Sequence, residues 1–353
     1  MEKTSSWWKV AMAVAAEGVA VVLPVRAQDD AGGKKALRYG ADLEGGVPYV
    51  YKESEESDKL IGFEVEILDS LAKKLDMTLE FVQNDWDKLI PGLQRDLYDI
   101  AIQGQEITPE HEEAVAFTIP YYVTYLQLAV PKNEFLINTL EDCRHHAVGT
   151  LKESGAFYIL EALGDVDIRA YATEVNGYDD LGIGRIDATL FDGPVAQYYG
   201  GPRPDVKFAG PEIGRIVYGF ALDSKNQDLL AAINAGLQEM RDNGELRTIL
   251  DRWNLWNQAV ANEFMDFGPP KSEPVMYNAW VEEQNGPRSE LKERLLRYWH
   301  FGPILGRAAL ITMEISILSM LVAISVGFLL AVIRVYAPRP LSLLATVYIE
   351  VIR

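Results

Sequence analysis

Between residues 36 and 256, short apolar runs alternate with stretches in which apolar positions recur every three to four residues. The first pattern predicts strands and the second crossover helices. Ala36–Gly40 reads as a strand. Gly62–Leu75 places Phe63, Ile67, Leu68, Leu71 and Leu75 on one helical face, with Glu64, Glu66, Lys73 and Lys74 elsewhere. Thr78–Val82 is β-prone, residues 86–97 read as helical, and Asp99–Ile102 is the next strand candidate. Two longer extended runs, Tyr125–Val130 and Tyr218–Leu222, bracket a second set of strands (Ala147–Thr150, Ile168–Tyr171, Ala188–Phe191) and helices (Gly155–Leu163, Glu174–Gly184, Pro194–Tyr199). One long helical pattern then covers Gln227–Trp253. The expected fold is α/β, with one lobe inserted into another and a hinge at the two crossings. Lobe 1 spans about 36–126 and 222–256, and lobe 2 about 131–218. Ligands of open α/β sheets bind at the carboxyl ends of strands.

The two ends of the chain read differently. Residues 1–28 combine Lys3 and Lys9, an apolar stretch and Val25-Arg26-Ala27, which fits a cleaved export signal or an N-terminal anchor, although Glu17 interrupts the apolar region. Residues 257–300 hold Gly268-Pro269-Pro270, Pro274 and Gly286-Pro287, a linker composition, followed by a short amphipathic helix candidate at Ser289–His300. Ile315–Ile333 carries no charge and would extend about 28 Å as a helix, enough to cross a bilayer core. A second apolar run follows from Leu341 to Ile352.

Composition narrows the function. The 353 residues carry a formal net charge of −19, which disfavours a nucleic-acid partner. A lone cysteine, Cys143, forms neither an internal disulfide nor a multi-thiolate metal site. His145-His146 beside it fits no standard metal spacing and reads as a polar loop. No GxxxxGK[ST] phosphate loop occurs, so any ATP hydrolysis belongs to a separate subunit. No cofactor and no catalytic residue is called for.

The runs GFEVEILDSLAKKLDMTLEFV (62–82), NDWDKLIPGLQRDLYDIAIQG (84–104), ITPEHEEAVAFTIPYY (107–122), IDATLFDGPVAQYY (186–199) and DLLAAINAGLQEMRDNGELRTILDRW (228–253) resemble the polar amino acid family of periplasmic solute-binding proteins. Residues 305–353 resemble the opening of an amino-acid ABC permease. The resemblance implies a two-lobed periplasmic-binding fold at 36–256, followed by a transmembrane helix of permease type. It also implies an inner-membrane location, with the binding domain in the periplasm or outside the cell. The implied partners are a small amino-acid or amine-like solute, a separate ATP-binding subunit, and a permease partner or a second copy.

The same resemblance implies a ligand set. Asp42 matches the acidic residue after the first strand, and Trp86 an aromatic wall. Gly104, Glu106 and His111 match positions that hold a ligand's α-carboxylate, as do Ser154 and Gly155 in the second lobe. Asp192 matches the acceptor of its amino group. Three departures alter the picture. His111 stands where Arg is usual and lacks its bidentate fork. Glu106 stands where a small hydroxyl residue is usual. Glu44-Gly45-Gly46-Val47 replaces an aromatic lid. An acidic site with these changes suits a cation, or a solute without a free α-carboxylate. An ordinary amino acid held differently also fits, as does an inactive or partner-binding lobe. Two other classes stay open: an enzyme on the same fold, of dehydratase or transglycosylase type, and a membrane-tethered sensor.

Overall fold

The computed structural model describes residues 34–54, 57–285 and 291–352. The expected export signal or anchor at 1–28 lies outside them, as does Ser289.

The first lobe is organised by β1 (Lys35–Ala41), which pairs in parallel with β4 (Met77–Gln83) and β5 (Ile100–Ala101). A short hairpin, β2 (Tyr51–Lys52) with β3 (Leu60–Ile61), forms a separate two-stranded sheet. Helix α1 (Phe63–Lys74) makes the β3-to-β4 crossover. Phe63, Ile67, Leu68 and Leu71 are fully buried, the face expected from their spacing, and each adds about 2 kcal/mol of apolar burial. Between Trp86 and Leu97, a 3₁₀ turn at Trp86–Lys88 leads into α2 (Leu89–Gln94), so this segment is shorter and more broken than the expected helix. Helix α3 (Pro109–Ala114), capped by Thr108, and β6 (Ala116–Phe117) complete the first pass.

The chain crosses to the second lobe along β7 (Tyr122–Pro131). There β8 (Ala147–Leu151), β9 (Asp167–Tyr171) and β10 (Ala188–Asp192) alternate with α4 (Gly155–Leu163) and α5 (Glu174–Gly182). The return strand β11 (Val206–Tyr218) pairs antiparallel with β7, with Tyr122 opposite Tyr218. The hinge is therefore a paired ribbon, and Tyr121 stacks on Phe220 at 4.3 Å between centroids beside it. Strand β12 (Ala221–Leu222) rejoins the first sheet, in the order β4-β1-β5-β12-β6, while the second runs β11-β7-β10-β8-β9.

The helical pattern over 227–253 is two helices, α6 (Gln227–Asp242) and α7 (Glu245–Arg252). Gly244, at φ +80, takes the left-handed conformation between them, which glycine adopts without steric cost. The stretch expected as a linker also folds in part, into α8 (Gln258–Phe264) and α9 (Val275–Asn285). Its prolines lie outside both helical spans. Trp280 on α9 packs against Tyr51 of the first lobe and Tyr198 and Tyr199 of the second, and its indole N–H donates to the Tyr198 carbonyl at 2.8 Å.

The C-terminal residues form a separate unit. Helix α10 (Leu291–Tyr336) runs unbroken through the residues expected to be amphipathic and those expected to span. Its segment Gly306–Tyr336 is long and apolar enough to cross a membrane, with a mean hydropathy of 2.6 over an 18-residue window. Helix α11 (Arg339–Ile352) follows the Pro338 turn and lies against α10, with the Ser342 hydroxyl donating to the Arg334 carbonyl at 2.8 Å.

Candidate functional site

The carboxyl ends of the strands in both lobes converge on one cleft. Trp86 follows β4, Gln103, Gly104 and Glu106 follow β5, and Ser154 follows β8. Glu174 follows β9, and Asp192 ends β10. Tyr49 and Phe191 add aromatic wall, and among the described residues no Arg or Lys lines the cleft. The enclosed space is about 20 Å³, room for about one water.

The loop after β5 is held from behind by Glu64. This carboxylate, 0% exposed, accepts the Gly104 N–H at 2.8 Å, the Gln103 N–H and the Tyr121 hydroxyl. Those bonds fix Gln103 (φ +77) and Gly104 (φ +62) in the left-handed region. A Cβ at Gly104 would meet the Tyr49 ring at 3.0 Å, so close approach as well as backbone conformation requires glycine there. Burial pushes the Glu64 carboxyl up to about 7, against the pull of its three donors.

Glu106 reaches across the cleft. Its Oε2 accepts the Gly155 backbone N–H at 2.8 Å, at the first turn of α4. Ser154 caps that helix, accepting the Phe157 N–H at 3.3 Å. Burial, and then the charge of Asp192, push Glu106 up to about 7, with the Gly155 N–H opposing. Asp192 caps the turn at 193–195, its Oδ1 accepting the Val195 N–H at 2.9 Å. Its Oδ2 accepts the hydroxyls of Tyr49, at 2.8 Å, and Tyr218. Its carboxyl is raised from the usual value by burial, with these donors opposing. Two of these bonds, Glu106 to Gly155 and Tyr49 to Asp192, join the lobes, and Lys152 of the second lobe pairs with Asp87 of the first at 2.6 Å on the rim.

Among the residues singled out from the sequence, Trp86, Gly104, Glu106, Ser154 and Asp192 line the cleft, and Gly155 contributes its N–H. Asp42 sits behind. Its carboxylate accepts the Glu44 and Trp86 N–H groups and the Gln83 amide, positioning Trp86, whose indole N–H donates to the Gln103 carbonyl at 2.9 Å. His111 also stands outside the lining, with Nδ1 2.9 Å from the Glu106 carbonyl oxygen. It braces the Glu106 backbone. Tyr49, Gln103 and Glu174 are the polar lining residues that sequence reasoning did not select. The position of Glu174, directly after β9, is the signal that could have found it.

Residues 37–255 match the family described as bacterial extracellular solute-binding proteins, family 3. The L-cystine-binding protein of Escherichia coli (strain K12) is 32% identical over 214 residues, which cover 60% of this chain and 80% of that protein. The arginine-binding periplasmic protein of Mannheimia haemolytica is 28% identical over 211 residues, covering 58% and 86%. Among solved structures, an ancestral arginine-binding protein bound to arginine superposes with a TM-score of 0.58 at 31% identity, covering 62% of this chain and 98% of that one. An ancestral amino acid-binding protein described as a precursor of cyclohexadienyl dehydratase gives 0.58 at 28% identity, covering 62% and 95%. The two-lobed α/β cleft and the match over 37–255 together place this chain in the bacterial extracellular solute-binding proteins, family 3.

Proposed function

We propose that residues 36–256 capture a small cationic solute, or one without a free α-carboxylate, outside the cytoplasm for an ABC importer. The ligand lies between the lobes and stabilises their closed arrangement by binding it better than the open one. The observation that carries the cationic reading is the bond from Glu106 Oε2 to the Gly155 N–H. The chain's own carboxylate occupies the donor that the family resemblance assigns to a ligand's α-carboxylate. With Glu174 and Asp192 also lining the cleft and, among the described residues, no Arg or Lys in that lining, an entering carboxylate would find no cation to meet, whereas an ammonium would favour the ionised forms of these carboxyls. Tyr49 and Trp86 supply aromatic surface for its alkyl part.

Residues 305–353 would begin a permease, anchoring the binding unit in the inner membrane and raising its concentration at the translocation path. A separate subunit would supply ATP hydrolysis. A second reading, an ordinary α-amino acid, draws on relatives named for binding L-cystine and arginine, and requires Glu106 to swing off Gly155. A thermal-shift screen of the detergent-solubilised full chain separates the two. Primary amines raising Tm, with α-amino acids leaving it unchanged, support the cationic reading; the reverse pattern overturns it.

A further inference from the structure

The buried carboxylates around the cleft differ in what they hold. Glu64 accepts from two backbone N–H groups and a tyrosine. Glu106 accepts from Gly155, and Asp192 from Val195 and two tyrosines. Asp42 accepts from Gln83 and two backbone N–H groups. Glu174 is also buried, at 6% exposed, and lines the cavity, yet among the described residues no other residue donates to its carboxylate. Its own backbone N–H is the single donor it meets, and a buried carboxylate so sparsely held is costly unless it is protonated or meets a cation.

The neighbour of Glu174 is equally informative. Its Oε2 lies where a side chain at residue 45 would begin, so any Cβ there would overlap it. Gly45 adopts φ +74, a conformation that glycine takes without strain. The missing side chain in lobe 1 and the carboxylate from lobe 2 are thus fitted to one another. An aromatic at residue 45 could not share this space with Glu174.

We propose that Glu174, seated against Gly45, is a specificity-determining cation subsite in the lining of the cleft, which selects solutes carrying a second positive group. The ligand class is a diamine or an amine bearing a guanidinium, with one cationic end toward Asp192 and Glu106 and the other on Glu174. This assignment rests on the cationic reading of the cleft and narrows it. A solute of that length enters with the lobes parted, since the space described here holds only about one water.

Calorimetric titration of the full chain in detergent with two probes of equal carbon length, 1,4-diaminobutane and butylamine, tests this. The wild-type chain binds the diamine at least about ten-fold more tightly. Glu174→Gln weakens the diamine about ten-fold more than the monoamine, and Glu174→Asp recovers part of the difference. Wild-type chain binding both probes equally overturns the subsite while leaving the cationic reading intact. Glu174→Gln weakening both probes alike also overturns it, since a purely structural role would do the same. Neither probe binding overturns both readings. The wild-type measurement needs no variant to fold.

Discussion

Glu106 Oε2 and the Gly155 backbone nitrogen, on opposite lobes, are joined by a 2.8 Å hydrogen bond. A carboxylate meeting the first turn of α4 is favoured by the orphan N–H groups and the helix dipole. The same favour would be offered to a ligand's carboxylate, so Glu106 competes with it.

Glu106→Ser removes that competitor and frees the Gly155 N–H. The variant is expected to gain at least about ten-fold in affinity for α-amino acids such as arginine, and to lose affinity for amines, about 1.4 kcal/mol each way. Calorimetry on wild type and variant checks it; an unchanged preference contradicts the competition. Gly155→Ala is the complementary change. Its Cβ would lie 2.6 Å from Glu106 Oε2, so the interlobe bond breaks or lengthens. A stability loss of about 1–3 kcal/mol is expected, read as a lower Tm.

Stability should depend on pH in a defined direction. Glu64 and Glu106 are pushed up to about 7 and Glu174 to about 8, chiefly by burial. Their unfolded values lie near 4.3. Between these limits the folded state binds more protons than the unfolded, so stability is highest at the acid end and falls as pH rises toward 8. The ligand-free Tm should therefore drop between pH 5 and pH 8, and Glu174→Gln should flatten the curve by removing one contributor. A Tm that rises over this range would contradict the burial of these groups.

Cation binding should release protons. The groups raised by burial are partly protonated at pH 7, and an incoming ammonium favours their ionised forms. Titrating 1,4-diaminobutane in two buffers of different ionisation enthalpy at pH 7 should give different apparent enthalpies, with net proton release. The effect should vanish above about pH 9. Equal enthalpies in both buffers would mean that the ligand does not meet these carboxylates.

Trp280 ties α9 to aromatic residues from both lobes, Tyr51 and the pair Tyr198–Tyr199. Trp280→Ala removes that packing and the hydrogen bond to the Tyr198 carbonyl. A cost of about 1–3 kcal/mol is expected in the Tm of the binding unit. An unchanged Tm would show that α9 rests on the surface without contributing.

Much of this fold could be read from spacing. The buried face of α1, the span of α4 and the strand read at 188–191, observed one residue longer, follow from periodicities that local propensity and packing both favour. Gly244 shows one limit: a glycine inside a helical pattern can be tolerated or can break it, and only its left-handed φ decides. The region of α8 and α9 shows another. Gly268-Pro269-Pro270 dominates its composition, while the helices beside it are held by tertiary contacts from Tyr51, Tyr198 and Trp256, distant in sequence from α9 or packed across from α8. The site divides in the same way. The family resemblance led to Trp86, Glu106 and Asp192, and all three line the cleft. His111 sits in a matching position, yet its ring turns to the Glu106 carbonyl. Glu174 follows β9 but lies outside the runs that carry the resemblance, and its contact with Gly45 of the other lobe exists only in three dimensions.

A distance measured between the lobes tests the cleft most directly. Spin labels on Arg95→Cys and Glu161→Cys, both exposed, would report lobe separation in the full chain, and Cys143, fully buried and raised to about 11 by that burial, would resist labelling. A cleft that closes on a cation predicts that 1,4-diaminobutane collapses the distance distribution to one short population while alanine leaves it unchanged. A distribution that narrows with alanine and ignores the diamine would contradict it.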